Sequence, residues 1–311
     1  MIVHWDDVEP IVIGDGDLRG TRWKLGAAAE ATHTGLSRYK LAPGERAMPV
    51  HVHGDEEELF YVLEGEGLSW QDGRTYAVRA GDCVLHVPRA EAHTIAGAGA
   101  GLDVLVYGSG SDTGVTWLPR AHAMWLDPRW LPFDGPDPFA AEAAAGPLEL
   151  PAPDQERPPN IVALADADLS ERSHGDVASV RRDHGDSLGS TLIGVGHLTV
   201  PPGKLTYPPH CHSAEEEAFV VLEGDGELLL VEAGGPDSTE PVRPGSVVVR
   251  PPGSRVSHAF RAGAGGLTLL AFGSRESNDI VYYPRSGKVS LRGIGARFRV
   301  ELLDYFDGEP A

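Results

Sequence analysis

Histidine and glutamate recur in this chain in an order suited to holding a divalent transition metal. His51-Val52-His53 is followed after four residues by Glu58 and after six more by Gly65; His210-Cys211-His212, Glu217 and Gly224 repeat that spacing 159 residues later. A lone histidine follows each set, His93 and His258, each preceded by a glycine and a proline (Gly81 and Pro88, Gly245 and Pro252). Three imidazoles and one carboxylate form a nitrogen and oxygen ligand set for a divalent transition metal. Chance places one such set far more easily than two in register, and six of the 13 histidines hold positions matched between the copies.

The spacing constrains the elements that must present these side chains. Residues i and i+2 of a strand share a face, so an extended His51-Val52-His53 points both imidazoles one way and Val52 the other; Cys211 is turned away from the site by the same parity. Glu58 opens the β-favouring run Leu59-Phe60-Tyr61-Val62-Leu63. Glu58, Phe60 and Val62 share one face, as do Glu217, Phe219 and Val221, which makes those apolar residues candidates for a pocket wall. A one-residue slip would make Glu57 and Glu216 the ligands instead. Otherwise Glu56, Glu57, Glu215 and Glu216 read as solvated turn charges. Glu64-Gly65-Glu66-Gly67 and Glu223-Gly224-Asp225-Gly226 read as hairpin turns needing positive φ. His93 and His258 fall on later strands, and bringing those beside the paired histidines requires a rolled, closed sheet. His86 follows the apolar Val84-Leu85, aligns with Arg250 and reads as a strand residue.

Self-similarity extends from about residue 2 to 127 and from 161 to 292, with Ile2-Val3 matching Ile161-Val162. The expected organisation is an N-terminal barrel over 1–131, a Pro/Ala-rich linker over 132–160 and a C-terminal barrel over 161–311. Trp117, Trp125, Trp130 and Phe133 approach the linker and are expected to pack it against a barrel, with a substrate lid as the other reading. Tyr39 aligns with Leu198, and Met48 with Tyr207. Tyr39, Met48 and Tyr207 join the pocket candidates, and these swaps predict unequal cavities.

Composition excludes several function classes. The 311 residues carry a formal charge of -20, which repels phosphate backbones, so nucleic acid is not an expected partner. No apolar run approaches the length of a membrane span, and Met1 to Asp7 lacks a signal-peptide pattern. The two cysteines, Cys83 and Cys211, supply no disulfide framework, and a reducing cytoplasm is the expected compartment. With 39 Gly, 25 Pro and few long apolar runs of helical period, the chain favours many short strands. Partners are expected to be small molecules, and a homodimer is compatible with the sequence.

These motifs resemble those of the cupin superfamily, and the whole chain resembles a bicupin. The first cupin motif, a glycine, HxH, three or four residues, Glu, six residues and Gly, is matched by Gly44 to Gly65 and by Gly203 to Gly224, with one additional residue after the first glycine. The second motif is looser: Ala90 replaces its second glycine, His258 lies two residues late after Pro251-Pro252-Gly253, and neither histidine is followed by the terminal Asn. The resemblance implies an all-β fold of two tandem double-stranded β-helix (jelly-roll) barrels with a divalent transition metal in each. The metals it implies are Mn, Fe, Ni, Co or Zn, and it does not single out a reaction. A small oxygen-rich molecule, a carboxylate or enediol, is the expected substrate because it chelates such a site, with dioxygenase-like oxidoreductase or decarboxylase-like chemistry by analogy. The alternative is a metal and small-ligand binding protein without turnover, a sensor or carrier. No motif nominates a catalytic acid or base.

Overall fold

The computed structural model describes residues 1–311 apart from 112–113, 127–128, 133–137, 233–234 and 309–311; for 129–132 and 138 it describes the backbone alone. The expected all-β architecture is present. In the first barrel a large antiparallel sheet runs, in hydrogen-bonded order, Ile161–Ala163, Asp82–His86, Glu58–Gln71, His93–Gly108, Gly35–Leu41, Leu18–Trp23 and Ile11–Asp15, with Arg74–Arg79 paired onto Glu58–Gln71. A four-stranded sheet, Arg129–Pro132, Ala123–Leu126, Val115–Leu118 and Val52–His53, completes it. The second barrel repeats the plan with Ile2–His4, Ser246–Arg250, Glu217–Glu232, Val256–Ser274, Ile193–Val200, Val177–Asp183 and Asp168–His174. Its small sheet is Cys211–His212, Ile280–Tyr283, Lys288–Leu291 and Ala296–Arg299.

Two strands are exchanged between the barrels. Ile2–His4 pairs with Ser246–Arg250 of the second, and Ile161–Ala163 pairs with Asp82–His86 of the first. The matched Ile-Val pairs found in sequence thus each close an edge of the other half's sheet, which removes an open row of backbone donors and acceptors.

Alternation along Glu58–Gln71 builds two cores at once. Phe60 and Val62 point into the first barrel with Tyr39, Ile95 and Val104. Leu59 and Tyr61 point out, into an apolar layer shared with Val220, Val247, Leu270 and Phe272 of the second barrel. Tyr107 and Phe272 stack across that layer with centroids 4.9 Å apart. Each large side chain sealed there contributes roughly 1.5–3 kcal/mol of burial.

The Gly65 and Gly224 segments are not hairpin turns. Glu58–Gln71 continues through Gly65 with register shifts against His93–Gly108, and Gly224 lies in the same irregularity of Glu217–Glu232. Positive φ is present as expected (84° at Gly65, 76° at Gly224), but it serves a bulge that bends one long strand around the barrel. A Cβ at Gly65 would sit 2.0 Å from the Gly101 carbonyl oxygen, so the bulge also needs the close backbone approach.

Three of the four flanking glutamates, Glu57, Glu215 and Glu216, are buried and not solvated, Glu215 being paired with Arg292. Glu57, on the outward parity of Leu59 and Tyr61, is 1% exposed and reaches into the second barrel. Its carboxylate accepts from the backbone N–H groups of Thr191, Leu192 and Ile193 at 2.9–3.1 Å and from the Ser190 and Thr191 hydroxyls. Glu216 does the same in reverse, accepting from the N–H groups of Thr32, His33 and Thr34 at 2.8–3.2 Å and from both threonine hydroxyls. A buried carboxylate is tolerated only where its charge is met by such donors. The two glutamates form a reciprocal clamp between the barrels.

Candidate metal centres and cavities

The first site is assembled from three strands. Val52–His53 and the residue before it carry the histidine pair, Glu58 opens its own strand, and His93 opens another. Backbone bonds between His51 and His93, 3.1 and 3.0 Å long, join the small sheet to the large one at the site itself. His51 Nε2 and His93 Nε2 both lie 3.2 Å from Glu58 Oε2, with His53 Nε2 at 3.8 Å. One nitrogen or oxygen atom from each of His51, His53, Glu58 and His93 falls within 4.8 Å of all the others.

The opposite ring nitrogens decide what those atoms are. His51 Nδ1 is 2.9 Å from the Pro49 carbonyl and His93 Nδ1 is 3.1 Å from the Glu91 carbonyl. A carbonyl only accepts, so both Nδ1 atoms donate, and in the neutral ring Nε2 is a bare lone pair. Two such lone pairs facing one carboxylate oxygen at 3.2 Å repel unless a positive charge lies among them. His53 Nε2 is buried without a hydrogen bond, and its Nδ1 meets the Thr116 hydroxyl at 3.1 Å. The donor set therefore fits a divalent cation. Burial pushes His93 well below its ordinary pKa, towards the neutral, ligating form. Burial acts to raise Glu58, but His51, His53 and His93 hold it well below the carboxylate range.

The second site uses the same elements with one difference. His210, His212 and Glu217 each place a ligand atom within 4.8 Å of the others, and His258 Nε2 joins through Glu217 Oε2 at 3.0 Å. His210 Nδ1 donates to the Pro208 carbonyl at 3.0 Å. His212 Nδ1 meets a carboxylate, Asp279 Oδ2, at 2.7 Å, where the first site offers a threonine hydroxyl. Asp279 also accepts from the N–H groups of Ser213 and Ala214. Burial lowers His210 to about 4, whereas Glu217, Asp279 and Glu215 outweigh burial at His212 and raise it to about 9. The Nε2 atoms of His212 and His258 and Oε2 of Glu217 are buried without a hydrogen bond, the same signature of space for an ion.

Seven of the eight proposed ligands thus converge at two points within 4.8 Å, and His258 reaches the second through Glu217. Glu57 and Glu216 are not among them, because strand parity turns them to the other face. His86, on the strand Asp82–His86 as expected, stacks on His93 with centroids 3.8 Å apart and hydrogen-bonds Glu91 through Nδ1. Of the pocket candidates, Tyr39, Met48 and Tyr207 line cavities. Phe60, Val62, Phe219 and Val221 lie deeper in the barrel cores; Phe219 meets His258 edge-on at 5.4 Å. Facing the barrel axis is not enough to reach the mouth, since positions below the carboxylate are already closed by packing.

The cavities above the two sites are unequal, as the repeat predicts. The first encloses about 500 Å³ and is walled by Tyr39, Met48, Leu118, Trp125 and Phe139. Phe139 lies on the helix Pro138–Ala144, inside the segment read as a linker. That helix is anchored by Glu142, which pairs with the fully buried Arg46 at 3.0 Å. Trp125 is a cavity wall and Trp117 is 48% exposed; Phe133 and the side chain of Trp130 lie outside the described residues. The second cavity encloses about 720 Å³, and its lining includes six arginine or lysine and four acidic side chains. Asp279, Thr116, Phe139 and the arginines of the second cavity had no sequence signal, since nothing in the repeat marks them.

Two closed sheets with a histidine and carboxylate cluster at the mouth of each define a double-barrel protein of the cupin class. The cupin-domain family profile matches residues 37–107 and 196–271, and the chain belongs to the cupin superfamily as a bicupin. It is 31% identical over 106 residues to an oxalate-binding protein of Thermotoga maritima, spanning 32% of this chain and 84% of that one. Among solved structures it is similar to a mutant of the Bacillus subtilis oxalate decarboxylase (TM-score 0.61, 18% identity, 90% of this chain and 78% of that). The Lactobacillus farciminis oxalate decarboxylase in its formate complex is also similar (TM-score 0.60, 17% identity, 88% of this chain and 86% of that). Among the described residues no helix is long and apolar enough to cross a membrane.

Proposed function

We propose that the chain is a metal-dependent bicupin enzyme acting on a small organic carboxylate. His51, His53, Glu58 and His93 hold one divalent transition metal, and His210, His212, Glu217 and His258 hold the other. The observation that carries this reading is the pair of His51 and His93 Nε2 lone pairs aimed at one Glu58 oxygen with no proton to mediate between them. A metal with four protein ligands supplies Lewis acidity and open coordination positions for a substrate carboxylate. The chain's own contribution is positional: Pro49, Glu91 and Pro208 carbonyls fix the ring tautomers, and Thr116 and Asp279 orient the second histidine of each pair. Decarboxylation, as in the structural neighbours, and oxidative cleavage both fit a chelated carboxylate. The similarity to an oxalate-binding protein favours a second reading, ligand capture without turnover.

Elemental analysis of the natively purified protein tests the metal sites. Two transition-metal ions per chain are expected, falling to one in His51→Ala/His53→Ala with an unchanged far-UV spectrum. Absence of bound metal, or an unfolded variant, counts against the assignment. Release of CO2 or uptake of O2 with a panel of organic acids then separates the enzyme from the binding protein.

A further inference from the structure

The second cavity carries charge that the metal ligands do not require. Six cationic side chains line it, in a chain whose formal charge is -20. Three are held by carboxylates: Arg181 by Asp183, Arg275 by Asp186 and Arg292 by Glu215. The other three, Arg172, Lys288 and Arg297, form no ion pair among the described residues. They come from three different strands, Asp168–His174, Lys288–Leu291 and Ala296–Arg299, so the fold and not local sequence gathers them at one mouth.

An aromatic path leads from these cations to the ligand histidines. Lys288 Nζ lies 4.7 Å from the centroid of the Tyr283 ring, and Tyr283 stacks on His210 with centroids 5.5 Å apart and planes 23° off parallel. Tyr207 packs edge-on against His210 from another side. Among the described residues the first cavity has no such rim: of the two cations that line it there, Arg22 is bound to Ser37 and lies over Tyr39, leaving Lys24. It is lined by two carboxylates, Glu56 and Glu58, beside Tyr39, Met48, Leu118, Trp125 and Phe139, and its volume, about 500 Å³ against about 720 Å³, is smaller.

The geometry points to the second barrel as the site for a larger polyanionic organic acid, a molecule with a carboxylate at the metal end and at least one more anionic group held by Arg172, Lys288 and Arg297. This rests on the metal reading above and deepens it. A two-carbon diacid would occupy a small part of about 720 Å³ and leave the rim cations unused. Cations without a carboxylate partner, here resting on Tyr283 through Arg297 and Lys288, focus field outward around a concave mouth and raise the local concentration of an anion, an effect that salt screens.

Calorimetric titration of the metal-loaded protein tests this, with metal content measured before and after. The probes are oxalate, tricarballylate and 3-phosphoglycerate. The host is His51→Ala/His53→Ala, which confines metal to the second barrel. Either or both of the larger acids are expected to bind at least about tenfold more tightly than oxalate, and whichever binds names a carboxylate or a phosphate as the remote group. Lys288→Ala/Arg297→Ala is expected to remove about tenfold from that affinity, and more at low salt, with metal content and oxalate binding unchanged. Oxalate binding as tightly as both larger acids, or larger-acid affinity indifferent to the rim substitutions, overturns the inference. A preparation that takes up no metal defeats the metal reading instead, and the rim is then read by the same variants on the metal-free protein: dependence on Lys288 and Arg297 sustains it, and indifference ends it.

Discussion

Asp279 is the residue that most distinguishes the two candidate centres. Both brace the second histidine of the pair from behind, but His53 leans on a hydroxyl and His212 on a buried carboxylate, at 3.1 and 2.7 Å. A carboxylate behind a ligating imidazole fixes the ring and makes it a better donor to a cation. Asp279→Asn should therefore weaken metal binding at the second site by about 10- to 100-fold, while Thr116→Val weakens the first site less. Competition with a graded chelator, read as metal retained per chain, measures both. Equal losses in the two variants would show that the carboxylate has no special role.

At the scale of elements, the segment between the repeats matters more than its composition suggests. Arg46, fully buried, forms a two-pronged pair with Asp17 (2.9 Å on each arm) and reaches Glu142 of the helix Pro138–Ala144. Asp17 also accepts from Leu148 N–H at 2.8 Å. The helix that walls the first cavity with Phe139 is thus tied to the barrel by one charge network. Breaking one arm by Asp17→Asn is expected to cost about 1–3 kcal/mol at neutral pH. Burial acts to raise the Asp17 carboxyl, but Arg46 and Leu148 hold it below its ordinary 3.8. A carboxylate with a lowered folded-state pKa stabilises above its unfolded value and loses that contribution as pH falls through the folded one. The gap between wild type and Asp17→Asn in urea unfolding should be full at pH 6 and close as pH drops below about 3.8. A gap that widened towards acid would contradict the network.

For the whole molecule, the question is whether two barrels behave as one unit. Exchanged strands, a shared apolar layer and the Glu57 and Glu216 clamps all cross the boundary. Each clamp satisfies three consecutive backbone donors in the opposite barrel, so removing its charge leaves N–H groups without a full acceptor. Calorimetry should show one cooperative transition in the wild type. Glu57→Gln/Glu216→Gln should lose about 2 kcal/mol per carboxylate while retaining both metals. Two separate transitions in the unmodified protein would mean that the layer is only a contact between independent domains.

The sequence alone singled out the eight residues proposed as ligands, because a metal centre needs chemically distinctive residues at spacings that the strand period makes rigid. It also determined the closed all-β fold: only a rolled sheet brings His93 to His51 and His258 to His210. Parity separated Glu58 from Glu57 in principle, and the structure agrees. What the outward-facing Glu57 does could not be read, since its partners, Ser190 to Ile193, lie in the other half and are ordinary polar and aliphatic residues there. The same holds for Asp279, for the strand exchange and for the rim of Arg172, Lys288 and Arg297. Each depends on segments far apart in the chain meeting across a packed interface. Ligand chemistry is local and leaves a pattern in sequence, whereas bracing and cavity charge arise from how distant surfaces are folded together.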